Sequence, residues 1–309
     1  MATIVVRGTA TALSPVIHGG ESRGGTMTEF RRVKAVVDGR IEMLPIISGN
    51  SIRGMLRDAC AEFSMQAAGI EQLPNLRSFH LLFSGGSLGK VDNGSYINLT
   101  EERRLRELLP ALSLFGGSVG NRILGGRLEV AEWVPICQET RGMIDSRLHA
   151  LANLSIYDLI EVVSFTRRDD AKSRKLQNFL EEGTLAVYEQ QKSARAEANE
   201  ADEKGASQQM RYSYECLVAG TVFAVEFALH NASPVEYGTF LGGLALFATR
   251  PAVGGRASSG MGRVKLDLTQ VAFSEPVRPV SELEEGQIEI ARQHIAERRE
   301  EIVALLGGY

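Results

Sequence analysis

Arg53 and Arg57 stand four residues apart, directly after the polar turn Ser48-Gly49-Asn50-Ser51. On a helix that spacing projects both guanidinium groups from one face. The turn opens onto a helix N-terminus, where unpaired N–H groups and the dipole attract anions. Ser48, Asn50, Ser51 and the two arginine forks are therefore a candidate phosphate cradle. The plain alternative is an N-cap followed by two solvated arginines. A second candidate lies between Pro251 and Arg263, where Gly254, Gly255, Ser258, Ser259, Gly260 and Gly262 permit close backbone approach. Arg250, Arg256 and Arg263 add charge there. A Walker A loop is excluded because no Gly-Lys-Ser/Thr occurs. A Rossmann fingerprint is excluded because Gly260-Met261-Gly262 precedes a strand instead of following one. An extended polyanion fits this loop better than a nucleotide, against the alternative of a simple glycine-rich turn. His18 is the third candidate, in a glycine-rich loop beside Arg23.

Other chemistries find little support. The five histidines are scattered without H-E-x-x-H or a nearby carboxylate pair, so neither a metal nor a cofactor is expected. Two G-x-S-x-G matches, at Gly85–Gly89 and Gly116–Gly120, lack the strand-before, helix-after context of a nucleophile elbow. Cys60, Cys137 and Cys216 are odd in number and far apart, which excludes a disulfide framework and a zinc ribbon. No run of 18 apolar residues occurs and no signal-peptide pattern opens the chain, so no membrane association and a reduced, cytoplasmic protein are expected. The 309 residues carry a net charge of −4, but Ser281–Tyr309 holds seven acids and three bases, which accounts for all of it. Met1–Arg57 holds eight Lys/Arg against four acids. Local patches, not the total, decide phosphate binding.

The elements that must position these residues follow from pattern. Thr3–Val6 reads as a first strand buried on both faces, and Ser14–Thr28 as loop because its glycine pairs and Pro15 break regular structure. Arg32–Val37 and Ile41–Ile47 form a hairpin around Asp38-Gly39. A helix runs from Ile52 to about Gln66, with Ile52, Met55, Leu56, Ala59 and Phe63 on one face. Leu105–Leu114 is a short helix and Gly126–Ala131 a strand start. Val162–Arg211 is an exposed arm, first basic (Arg167, Arg168, Lys172, Arg174, Lys175) and then Ala/Glu/Gln-rich. Arg211–Val218 and Thr221–Leu229 read as a hairpin, Tyr237–Phe247 as a helix and Arg263–Val271 as a strand. A final amphipathic helix over 281–309 starts at a Ser281/Glu284 capping box. The order β, helix, β, β, helix, β with large insertions implies an α+β fold, a split βαβ, ferredoxin-like core.

Taken in order, these features resemble the RAMP superfamily. Ile46-Ile47-Ser48-Gly49-Asn50-Ser51-Ile52-Arg53-Gly54-Met55-Leu56-Arg57 is similar to its I-P-G-S-S-L-K-G-x-x-R signature. Leu114-Phe115-Gly116 with Gly126-Arg127-Leu128, then Ala219-Gly220-Thr221-Val222-Phe223, then Val253–Val264 match its later segments. The ordered set spans residues 15–270. It resembles a Cas-seven-type backbone subunit of a class 1 CRISPR effector complex, type IV-like first and type III-like or type I next. The resemblance implies an RRM-like palm over 1–280, with a finger or web near 69–125 and a thumb near 164–212. It implies partners: guide CRISPR RNA, complementary target DNA or RNA, further copies in a helical filament, and other effector subunits. The phosphate contacts would come from His18, Arg23, Arg31, Ser48, Asn50, Ser51, Arg53, Arg57, Arg122, Gly254, Gly255, Arg256, Ser258 and Ser259. Arg167, Arg168, Lys172, Arg174, Met210, Arg211 and Tyr212 would serve as thumb and wedge. Type III subunits cut target RNA with an Asp after strand one; the matching stretch Arg23–Arg31 holds only Glu29. A non-catalytic scaffold is therefore expected, with a metal-dependent endoribonuclease acting through Glu29 as the alternative.

Overall fold

Val6, Ala10 and Ala12 are buried while Arg7, Thr9 and Thr11 stand half-exposed. The first strand thus has one core face and one solvent face, not the two buried faces expected from its β-branched residues. In the computed structural model, which describes residues 3–23, 27–86, 99–119, 122–166, 181–201, 211–271 and 278–308, the long helices pack on the core face of its sheet, while the 143–148 segment meets the other face through an Arg7–Asp145 ion pair.

In chain order the strands are β1 (Ile4–Ala12), β2 (Gly19–Arg23), β3 (Met27–Phe30), β4 (Arg32–Val37), β5 (Arg40–Pro45), β6 (Gly117–Val119), β7 (Arg122–Leu124), β8 (Leu128–Val130) and β9 (Val134–Pro135). β10 (Ile160–Thr166), β11 (Arg211–Leu217), β12 (Val222–Leu229), β13 (Val264–Val271) and β14 (Arg278–Pro279) follow. The helices are α1 (Gly49–Ala68), α2 (Leu76–Phe79), α3 (Leu99–Leu108), α4 (Pro110–Phe115), α5 (Ile156–Leu159), α6 (Glu182–Ala201), α7 (Pro234–Thr249), α8 (Val280–Glu297) and α9 (Arg299–Gly307).

The palm sheet runs β14-β13-β1-β12-β8, with β9 also on β12. Taking β1, β8, β12 and β13 as the four strands of a split βαβ repeat, their spatial order is fourth, first, third, second. That is the ferredoxin-like arrangement, with α1 and α7 as its two helices. All its pairings are antiparallel, including Arg7 opposite Glu226 and Thr269. The core between sheet and helices holds Trp133, Phe223, Phe227 and Phe240, all essentially inaccessible. A second cluster joins Phe63 on α1 to Leu81, Leu108, Ala291, Ile295, Ile302 and Leu306. The C-terminal segment therefore completes the core. It comes as two helices divided at Arg298, and the first begins at Val280, one residue before the serine of the capping pattern.

Three local readings differ from the structure. Within 14–28, β2 and β3 pair across the glycine pairs, since glycine weakens a strand without forbidding one. The 105–114 helix is two, because Pro110 lacks the N–H to continue the turn and starts α4 instead. Most consequentially, 211–218 and 221–229 are not a hairpin. β11 pairs with β10 and β3 while β12 pairs with β1, so Ala219-Gly220 is a crossing between two sheets. The Asp38-Gly39 turn does form as expected, with both residues at positive φ.

Close approach of α1 and α7 depends on glycine. A Cβ at Gly243 would run into Cys60 Sγ and the Cys60 backbone, whereas one at Gly54, on the same α1, would meet nothing within 4 Å. Gly243→Ala should lower unfolding free energy by about 1–3 kcal/mol through overpacking. Gly54→Ala should raise it by about 0.8–1 kcal/mol through helix propensity. Urea titrations of both variants check the opposite signs.

Candidate nucleic-acid interface

Four consecutive residues bring the two candidate loops together. Pro15 O accepts from Gly262 N (2.8 Å), and Ile17 O accepts from Gly255 N (2.6 Å). Val16 and Leu217 exchange both backbone hydrogen bonds at 2.9 Å. His18 O accepts from Arg31 N (2.8 Å), and its Nε2 accepts from Ser48 N at the start of α1 (3.2 Å). Gly254 must be glycine: its φ is +78° and a Cβ would run into Ile17 O. Gly49 is held likewise against the Val130 carbonyl at the end of β8. The extended segment 15–18 thus joins the α1 N-terminus, the 251–263 loop and the root of the arm.

Arg53 and Arg57 do share one face of α1, but their partners are carbonyls. Arg53 donates to Leu128 O and to Phe115 O (2.6 Å), and Arg57 donates to Phe115 O (3.2 Å). Both guanidinium carbons lie over the Phe115 ring, at 5.4 and 5.6 Å from its centre. The L-F-G segment is shaped for this. Gly116 has φ +64°, and a Cβ at Gly126 would come within 2.7 Å of Arg53 Nη2. Burial lowers both arginine pKa values, with the Arg57 charge adding to the effect at Arg53. Neither forms an ion pair with a carboxylate among the described residues, though the Asp58 charge offsets part of the effect of burial at Arg57. The first turn of α1 also lacks an acid.

Arg256 is placed differently again. Its backbone is at φ +60°, and its guanidinium lies 4.2 Å from the Tyr214 ring centre and 4.6 Å from that of Phe165. Its Nη2 donates to the Tyr214 hydroxyl at 2.5 Å. The arm's strand β11 is gripped on its other face by Arg32, whose two Nη atoms each reach a Glu215 carboxylate oxygen at 2.7 Å. Those hydrogen bonds, outweighing burial, hold the Arg32 pKa up, with Glu29 on β3 as a weaker contributor.

The remaining candidates distribute around this centre. Asn50, Ser258 and Ser259 are exposed, as is Arg31; Ser51 is half-buried and donates its N–H to Ser48 Oγ. Tyr212 is half-buried on β11, which Arg211 opens. Arg23 closes β2, and Arg122 opens β7 in a hairpin tied to Gly85 O by Ser118 N (2.6 Å); Gly85 in turn abuts the Arg57 guanidinium. Arg167, Arg168, Lys172, Arg174 and Met210 lie outside the described residues. Sequence reasoning missed Phe115, Phe165, Tyr214 and Glu215. Only Gly116, inside a family-like motif, hinted at the first. The solvent face of the palm strands carries Arg7, Thr9, Ala224, Glu226, Asp267 and Thr269, with no aromatic side chain among them. An RRM-type aromatic stacking platform is therefore lacking on that face.

A family model for the RAMP superfamily matches residues 9–265. The chain belongs to the RAMP superfamily. In three dimensions it is similar to a chain of a structure described as "Type IV-B CRISPR Complex", with a TM-score of 0.55 and 23% identity, over 89% of this chain and 92% of that one. No protein of curated function matches it in sequence. Among the described residues, no helix is long and apolar enough to cross a membrane, and no cluster of three metal-ligating side chains occurs.

Only a neutral His18 ring accepts the Ser48 N–H, and burial, then the Arg31 charge, lower its pKa from the ordinary 6.5. The unfolded chain takes up a proton at pH 6.5 that the folded chain resists. The stability from this contact is therefore complete above 6.5 and falls as the pH drops below it. Urea unfolding across pH should show wild type losing stability on the acid side relative to His18→Gln; parallel profiles would refute the arrangement. Arg53→Lys keeps the charge but loses the planar fork across two carbonyls. It should cost about 1.5–3 kcal/mol in the same titration at neutral pH.

Proposed function

We propose that this protein is a non-catalytic backbone subunit of a class 1 CRISPR effector complex. It binds guide CRISPR RNA without regard to sequence, stands beside further copies and other effector subunits, and supports pairing with complementary target DNA or RNA. Family membership and the likeness to a chain of a type IV-B complex support the class. The single observation that carries RNA binding is the arginine pair at the start of α1. Among the described residues it forms no ion pair with a carboxylate, and the α1 N-terminus that precedes it is joined to the glycine loop through 15–18.

The chemistry follows from the donors that remain. Arg53 and Arg57 use three N–H groups on carbonyls, which leaves others, and both full charges, for phosphate oxygens. The exposed Asn50, Ser258 and Ser259 add neutral donors to phosphate and 2′-hydroxyl groups. Guide sequences vary, so contacts that ignore base identity are the ones such a subunit needs. Tyr212 on β11 extends the proposed surface along the stem of the arm.

Ser258→Asp/Ser259→Asp places negative charge on exposed positions of the glycine loop. It should weaken binding of every single-stranded RNA by about tenfold or more at low salt. Arg31→Gln should reduce the slope of log affinity against log salt by about one. Fluorescence anisotropy on oligonucleotides of unrelated sequence checks both; a loss confined to one sequence would sink the proposal. Incubating the assembled complex with labelled target RNA and Mg²⁺ tests the alternative. Regularly spaced fragments that vanish in Glu29→Gln would replace the scaffold with a nuclease.

A further inference from the structure

Arg256 holds a left-handed backbone conformation that L side chains rarely adopt, in a loop otherwise rich in glycine and serine. Such strain persists only where surrounding contacts over-determine it. The contacts are plain. The guanidinium sits in the corner formed by the Tyr214 and Phe165 rings, against both, and donates to the Tyr214 hydroxyl. The two rings meet edge to face at 5.9 Å, as diagonal neighbours on one face of the β10–β11 stem, where Phe165 stands opposite Tyr212. The loop side is equally fixed. Gly255 N bonds Ile17 O, while the Arg256 carbonyl accepts from Ser259 N and Met261 N at 2.9 and 3.3 Å. On the opposite face of β11, Glu215 is forked by Arg32.

We infer that Arg256 is a positioning residue. It is a pin that fixes the β10–β11 stem of the arm to the glycine loop, so that the loop's placement sets the direction of the stem. Its role is thus orientation and not phosphate binding, the part its sequence context suggested. The breadth of the forked guanidinium is the property in use, because it meets two rings and a hydroxyl at once, and a compact ammonium does not. The consequence for function rests on the RNA-binding proposal: where the loop follows an RNA strand, the stem stands at a fixed angle to that strand.

The chain supplies its own ruler. Trp133 is the single tryptophan and is fully buried in the palm, all three cysteines are buried, and Val162 on β10 is 50% exposed. A thiol-reactive energy acceptor on Val162→Cys therefore reports the distance from palm to stem by time-resolved transfer from Trp133. With Arg256 intact the distance distribution should be narrow. Added Arg256→Lys, which keeps the charge, and added Phe165→Leu, which leaves the arginine, should each broaden it about twofold. Unchanged Trp133 emission certifies that the palm is folded, and Phe165→Leu carries the test should Arg256→Lys not fold. Overlaid distributions in all three proteins would overturn the pin, whether or not RNA binds. Anisotropy with a uniform-sequence RNA is run in parallel on the same labelled proteins. Broadened distributions together with no RNA binding by the parent would leave the pin standing and remove the functional proposal instead.

Discussion

The segment Pro15–His18 is the constraint on which the interface depends. Its backbone groups are bonded to the 251–263 loop, to β11 and to Arg31, and its one imidazole holds the first N–H of the α1 cap. Buried backbone polar groups need partners, and here the four carbonyls and the Val16 N–H find theirs in three parts of the chain that are remote in sequence. Loosening any one of them would leave a donor or acceptor unpaired and shift the other two.

The fold makes this convergence inexpensive. β1 lies between β12 and β13, so the loop leaving β1 and the loop entering β13 emerge on neighbouring strands. The crossing from β11 into β12 passes the same end of the sheet, where Gly220 N donates to Ala12 O (2.8 Å). Insertions at these points stand close together without altering the palm. A four-strand core thus carries its loops clustered at one end, where the contacts proposed above would be made.

The sequence was informative where the deciding forces are local. The Asp38-Gly39 turn, α1 and α7 follow from turn chemistry and the 3.6-residue period, and the split βαβ order follows from their succession. It misled where partners are remote. Ala219-Gly220 has the composition of a hairpin turn, yet only the competing edges of two sheets decide that β11 and β12 part company there. The four-residue spacing of Arg53 and Arg57 places them on a common face but is silent about the Phe115 carbonyl they both meet. Arg256 looked free because glycine and serine surround it in sequence, whereas its aromatic partners come from strands on either side of the arm.

The Arg53–Arg57 arrangement has an energetic corollary. Two like charges are held near one another with their guanidinium groups drawn partly out of water, and oxygen dipoles supply only fractional relief. The chain by itself therefore carries electrostatic tension that a polyanion bound as proposed would discharge. Ligation and rigidity would then become one event, with the greatest resistance to unfolding reached only once that ligand is in place.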